Sequence, residues 1–180
     1  MRSQDIAIVG ILLAVGAIAR FFAAIFIPGP IVPNFIIIFY CLAIMLIIPK
    51  FKEALGIGIV AGIISALITH SIFPPANLIS EPIGALVCLA VFISIRKHAV
   101  IAPALSTLVA TIASGTVFVL VVMAIVMVAP TLLYKEFSYD SLSAFFATMF
   151  IMIVVPTAIL NTIVAQILYI PSARVLSRGK

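Results

Sequence analysis

Six apolar runs, at about residues 6–27, 34–48, 54–69, 80–95, 99–128 and 141–169, fill the chain, and only short proline-rich or charged segments separate them. The first makes a helix about 33 Å long at 1.5 Å per residue. That length suits a hydrocarbon core of about 30 Å. Inside lipid every backbone donor and acceptor must pair within the protein, so such runs fold as helices. The chain is 66% hydrophobic and 8% charged, whereas soluble domains lie near 45–50% and 25%. A water-soluble fold has no means of covering that much apolar surface. The expected fold is an all-α integral membrane protein. It is a single membrane domain over residues 1–180, a six-transmembrane-helix bundle with cytoplasmic N- and C-termini.

Proline sets the breaks. Pro28-Gly29-Pro30 and Pro33 close the first run, Pro49 the second, and Pro74-Pro75 lies in the link before the fourth. Pro130 ends the fifth run, and Pro156 predicts a kink in the sixth. The first run is longer than the apolar core of a signal peptide and reads as a full span. The runs at 34–48, 54–69 and 80–95 are short for a span, which a bundle accepts by tilt or local thinning.

Orientation follows from lysine and arginine. With an inside N-terminus, Arg2, Lys50, Lys52, Arg96, Lys97, Arg174, Arg178 and Lys180 all fall inside, and only Lys135 falls outside. This asymmetry is the positive-inside pattern, and it requires an even number of crossings. The same distribution explains the net charge of +5 without nucleic acid, since the basic residues punctuate apolar runs and form no face.

The absences are informative. No Gly-x-x-x-x-Gly-Lys-Ser/Thr loop is present to cradle ATP phosphates. His70 and His98 are expected on opposite sides of the membrane, and no paired carboxylates or Ser/His/Asp set occur. No catalytic residue, metal ligand or cofactor is therefore expected. Cys41 and Cys88 sit inside apolar runs and read as small buried hydrophobes.

Two stripes of small residues stand out. Ala7, Gly10, Ala14, Ala17 and Ala24 share one face of the first helix, and Gly58, Gly62 and Ala66 share one face of the third. Small faces let helices approach closely in lipid, either within the bundle or against another subunit. Intramembrane polar residues form the other signal. Arg20 lies in the outer half of the first helix, where it either snorkels to headgroups or pairs inside the bundle. Glu81 is its nearest expected partner, or else a carboxylate favoured by a helix N-terminus. Asn34 and Asn77 lie at outer helix ends. Asn161 lies near mid-membrane, as a ligand group or an interhelical hydrogen bonder to Thr157 or a neighbour. Tyr40, Tyr134, Tyr139 and Tyr169 are read as interfacial residues near helix ends or in loops. Together with Phe73, Phe137, Phe145 and Phe146, the outer groups suggest a pocket for a small polar and aromatic solute, covered by the segment 130–140.

Three stretches carry a family resemblance: Gly10-Ile-Leu-Leu-Ala-Val-Gly-Ala17; Gly58-Ile-Val-Ala-Gly-Ile-Ile-Ser-Ala-Leu67 followed by Phe73-Pro74, Asn77 and Pro82; and Pro156-Thr-Ala-Ile-Leu-Asn-Thr162. Over nearly its whole length the chain resembles the substrate-binding S component of an energy-coupling factor (ECF) transporter, most closely the tryptophan-transporter branch. It departs from that branch at Pro75-Ala76, where a glycine turn is expected, at Asn34, where relatives often carry Pro-Asp, and at Ser80-Glu81-Pro82, in place of Asp-Lys-Pro. These departures touch the outer pocket and leave the ligand open.

The resemblance implies a prokaryotic plasma-membrane subunit that is no enzyme. It binds tryptophan or a related aromatic or zwitterionic compound, with a vitamin as the lesser alternative. Arg20, Asn34, Asn77, Glu81, Tyr139 and Asn161 are the expected solute residues, with Arg20 toward a carboxylate and Glu81 toward an ammonium. Ala7, Gly10, Ala14 and Ala17 are expected to dock onto a transmembrane coupling subunit that carries two cytoplasmic ATPases. A solitary secondary transporter and a non-transporting assembly subunit are the competing readings.

Overall fold

The computed structural model describes residues 1–26, 33–68, 71–129 and 141–178, and every regular element among them is helical. In chain order these are α1 (Ser3–Phe26), α2 (Ile36–Ile47), α3 (Phe51–Ile68), a 3₁₀ turn (Pro74–Ala76), α4 (Asn77–Ile95), α5 (Ala102–Val128), α6 (Leu142–Met149), a π-helical turn (Phe150–Val154) and α7 (Val155–Arg178). Five helical segments are long and apolar enough to cross a bilayer: Ser3–Phe26, Phe51–Ile68, Pro74–Ile95, Ala102–Val128 and Leu142–Leu176.

α2 differs from the rest. Its 12 residues extend only about 18 Å. Nine of them are buried, and the helix touches α1, α3, α4, α5 and α7. It is the axis of the bundle. Protein surrounds its backbone, so lipid places no length requirement on it. Ile48 ends it in the left-handed region at φ 50°, donating its N–H to the carbonyl of Ile44, and Pro49 prevents continuation.

Tyr40, expected at an interface, is fully buried in the middle of α2. The reason is steric: α4 presents Gly84 to its hydroxyl, so a large ring fits where a side chain on α4 would collide. Cys41 and Cys88 are fully buried, as expected of small hydrophobes, with the Cys88 thiol 3.9 Å from the Cys41 carbonyl oxygen.

The two glycines of the α3 stripe face inward. A Cβ on Gly58 would stand 2.6 Å from the Cα of Pro82, and one on Gly62 would stand 2.7 Å from the carbonyl oxygen of Asn77. The first two turns of α4 therefore lie directly against the α3 backbone, the close approach that small residues permit. The α1 stripe is the opposite case. Ala7, Gly10 and Ala14 are exposed, and a Cβ on Gly10 would meet nothing within 4 Å. α1 buries another face, made by Val9, Leu13, Gly16, Arg20 and Ala23.

α4 begins at Asn77, earlier than the start near residue 80 that the sequence suggests. The 3₁₀ turn at Pro74–Ala76 supplies the nucleus, because proline fixes φ and gives up an N–H that a first turn does not use. The last helical stretch is also not one α-helix. Pro156 has no N–H and crowds the carbonyl four residues back, that of Met152. The chain answers with the π turn, in which the Val155 N–H donates to the Phe150 carbonyl five residues earlier. The buried row records the change: Phe145 to Met149 is a step of four, Met149 to Val154 a step of five, and Val154 to Ala158 a step of four again. α7 then passes through Pro171 to Arg178, beyond the expected end near residue 169.

Contacts define the two ends of the bundle. The Met1 ammonium pairs with the Glu53 carboxylate, bringing the starts of α1 and α3 together. Gln166 of α7 donates to the Val100 carbonyl oxygen at 2.7 Å and accepts from the Ala104 N–H at 3.1 Å, bringing α7 to the start of α5. The end of α1, the start of α2, the link from α3 to α4 and the first part of the α6–α7 rod meet at the other end, where the cavity lies.

Candidate functional site

A cavity of about 50 Å³ lies at that second end, between two apolar clusters. Its polar wall is Arg20, Asn34, Asn77, Ser80 and Glu81, joined by Thr111 and Ser114 of α5. Its apolar wall is Ile37, Phe118 and Val119, with Met149, Ile153 and Val154 from the α6 end and the π turn. The charged groups come from α1 and α4 and much of the hydrocarbon from the α6 end and the π turn, while α5 contributes to both walls.

Arg20 is the unusual group. It is 2% exposed. Its Nη2 donates to Asn77 Oδ1 at 3.4 Å, and its Nε and Nη1 have no acceptor. Asn77 is held for this task by its own Nδ2, which donates to the Pro74 carbonyl oxygen at 2.8 Å. The 3₁₀ turn thus orients the amide oxygen toward the guanidinium.

Glu81, 1% exposed, is served differently. Its Oε1 accepts from Asn34 Nδ2, and its Oε2 accepts from the Ser114 hydroxyl at 3.3 Å. Among the described residues the ion pairs within 4.0 Å are Met1–Glu53 and Arg2–Asp5. Arg20 and Glu81 line one cavity without forming a salt bridge. Both charges are buried, each with neutral protein partners, which is a costly arrangement in a low dielectric.

Of the residues singled out from the sequence, Arg20, Asn34, Asn77 and Glu81 meet at the cavity. Asn161 stands one layer behind: its Nδ2 donates to the Asn34 carbonyl oxygen at 3.1 Å and to Thr111 Oγ1 at 3.3 Å. The interhelical reading holds for this residue, with Asn34 and Thr111 as partners. Tyr139, Tyr134 and Phe137 lie outside the described residues. Phe145 is buried in the second apolar cluster and is not part of the cavity wall. Sequence reasoning missed Thr111, Ser114, Phe118 and Met149. A signal existed, since Thr107, Thr111 and Ser114 recur at steps of four and three on α5. Hydroxyls in apolar helices commonly bond their own turn, as Thr111 does to the Thr107 carbonyl oxygen at 2.8 Å, and this habit hides such a face.

These features define a class: a multi-pass helical membrane protein with a partly open, half-charged cavity near one end of its bundle. A family model described as "Tryptophan transporter TrpP" matches residues 2–177, and the chain belongs to that family. It is 33% identical over 173 residues to the "Probable tryptophan transport protein" of Bacillus subtilis (strain 168), covering 94% of this chain and 90% of that one. No solved structure matches. Both descriptions are of transport proteins, not enzymes, and the chain is a multi-pass transport protein of the cell membrane.

Proposed function

We propose that the chain is the solute-binding S component of an ATP-driven ECF-type importer, and that its solute is tryptophan or a close aromatic zwitterion. The observation that carries this reading is Arg20, a buried guanidinium with free donors facing a cavity. The carboxylate of the solute meets Arg20, which Asn77 positions through its amide oxygen, its ammonium lies toward Glu81 and Asn34, and Asn161 holds Asn34 in place. Its ring lies toward Phe118, Met149 and Val154, where apolar and aromatic contacts supply most of the binding energy. Tyr139 covers it. A cavity of about 50 Å³ has room for only a few waters at about 10–15 Å³ each, so the apolar wall moves outward when the solute enters.

In this reading the chain is one membrane domain with six crossings, α2 being the short central one, and both termini are cytoplasmic. The basic residues support it: Arg2, Lys50, Lys52, Arg96 and Lys97 belong to the helix ends away from the cavity, which leaves the cavity on the outer side. Cysteines placed singly at Lys52 and Lys97 label only from the inside, and one at Lys135 labels from the outside. Outside labelling at either of the first two would sink the six-crossing topology.

Docking uses the small stripe, exposed at Ala7, Gly10 and Ala14 and half-buried at Ala17, against the coupling subunit that carries two cytoplasmic ATPases. Its support is the contrast with α3, whose stripe is consumed inside the bundle. Wild-type protein is expected to bind tryptophan in titration calorimetry at micromolar concentrations. Ala14→Trp keeps that binding within about threefold but loses pull-down of the coupling subunit, because bulk blocks close helix approach. Unchanged pull-down by a well-folded variant would refute the docking face, and absence of heat with the wild type would refute tryptophan.

A further inference from the structure

The two buried charges at the cavity are not equivalent. Arg20 has one long hydrogen bond, to Asn77 at 3.4 Å, and its Nε and Nη1 donors are unmet. Glu81 already accepts on both oxygens, from Asn34 and from Ser114. A buried charged donor without an acceptor carries its full desolvation cost, while a satisfied one has largely recovered it. A ligand carboxylate that reaches Arg20 therefore gains what the protein alone does not provide. A ligand ammonium that reaches Glu81 must leave water to compete with donors already in place, and that exchange returns little.

From this difference we infer that the carboxylate is the obligatory recognition element and that the amino group is dispensable, so the site also accepts aromatic monocarboxylates that lack an amine. The inference rests on the solute-binding reading above and sharpens its substrate class. The apolar wall imposes nothing against such compounds, since Phe118, Val119, Met149 and Val154 offer no hydrogen-bonding side-chain group to an amine. Removing the ammonium leaves Glu81 with Asn34 and Ser114, a supported carboxylate. Removing the carboxylate leaves Arg20 with bare donors, and no other group on the cavity wall carries a negative charge except Glu81.

The test is competition against radiolabelled tryptophan on the full-length purified protein, with two indole analogues. Indole-3-propionate keeps the carboxylate and lacks the amine; tryptamine keeps the amine and lacks the carboxylate. Indole-3-propionate displaces the label at concentrations within about tenfold of tryptophan itself, and tryptamine is at least about 100-fold weaker. If tryptophan binds and tryptamine competes as well as indole-3-propionate or better, the inference is overturned while the solute-binding reading stands. If none of the three binds, both fall.

Discussion

Gly58→Val leaves little folded protein. Any Cβ at this position lies 2.6 Å from the Pro82 Cα and 2.9 Å from the Ala85 Cβ. The first of these is backbone and cannot rotate away, so α4 has to move. Overpacking of this kind costs about 1–3 kcal/mol, and more where backbone must shift. Two methyl groups on top of the Cβ place valine at the upper end. Gly56→Val on the same helix meets nothing within 4 Å and serves as the control for β-branching alone. The assay is built into the chain: Cys41 and Cys88 are fully buried, so a thiol-reactive dye reports thermal unfolding in detergent. A loss of folded yield, or a fall in Tm of about 8 °C or more relative to Gly56→Val, is expected. Equal Tm values would mean that α3 and α4 are not packed backbone to backbone.

Arg20→Met separates binding from stability in the opposite sense. Removing one partner of a buried hydrogen-bonded charge pair costs about 2–5 kcal/mol, and each 1.4 kcal/mol is about tenfold. Tryptophan affinity is thus expected to fall by about 30-fold or more. The ligand-free protein becomes more heat-stable, because methionine fills similar volume without a desolvated charge. Sites that carry unpaid charge for a ligand are those where function and stability diverge. A lowered Tm with retained binding would show that Arg20 is a structural residue.

Much of the bundle was legible because lipid enforces simple rules. Apolar runs became helices, Pro33 and Pro49 fell between them, and Pro74 and Pro75 formed the 3₁₀ turn that opens α4. Arg20, Asn34, Asn77 and Glu81 could be grouped because polar side chains near one end of apolar helices have few places to go. Direction and depth were less legible. Periodicity cannot tell a helix facing lipid from one facing protein when both are apolar, and this is why Tyr40 read as interfacial and α2 as an ordinary span. Asn161 looked like a ligand group because its spacing gave its depth but not which neighbour stood between it and the cavity. The α5 hydroxyls were hidden for the converse reason: each has a local carbonyl that explains it without a site.

The π turn at Phe150–Val154 acts on the last helical rod as a one-residue change of reading frame. Side chains upstream of it are rotated by roughly a quarter turn, about 100°, against the pattern that holds downstream. Phe145 and Met149 therefore share a face with Val154 and Ala158 only because five residues separate the middle pair. Deleting any one residue between 150 and 154 and closing the turn to α-helix would keep Phe145 and Met149 in line with Val154 and Ala158, whereas closing it to α-helix with all five residues present would swing Met149 away from the cavity. When relatives are aligned or spliced across this rod, a one-residue gap placed inside the turn preserves the facing of the cavity wall, and the same gap placed in the α-helix on either side rewrites it. A chimera whose junction falls at Ala158 keeps that wall whole.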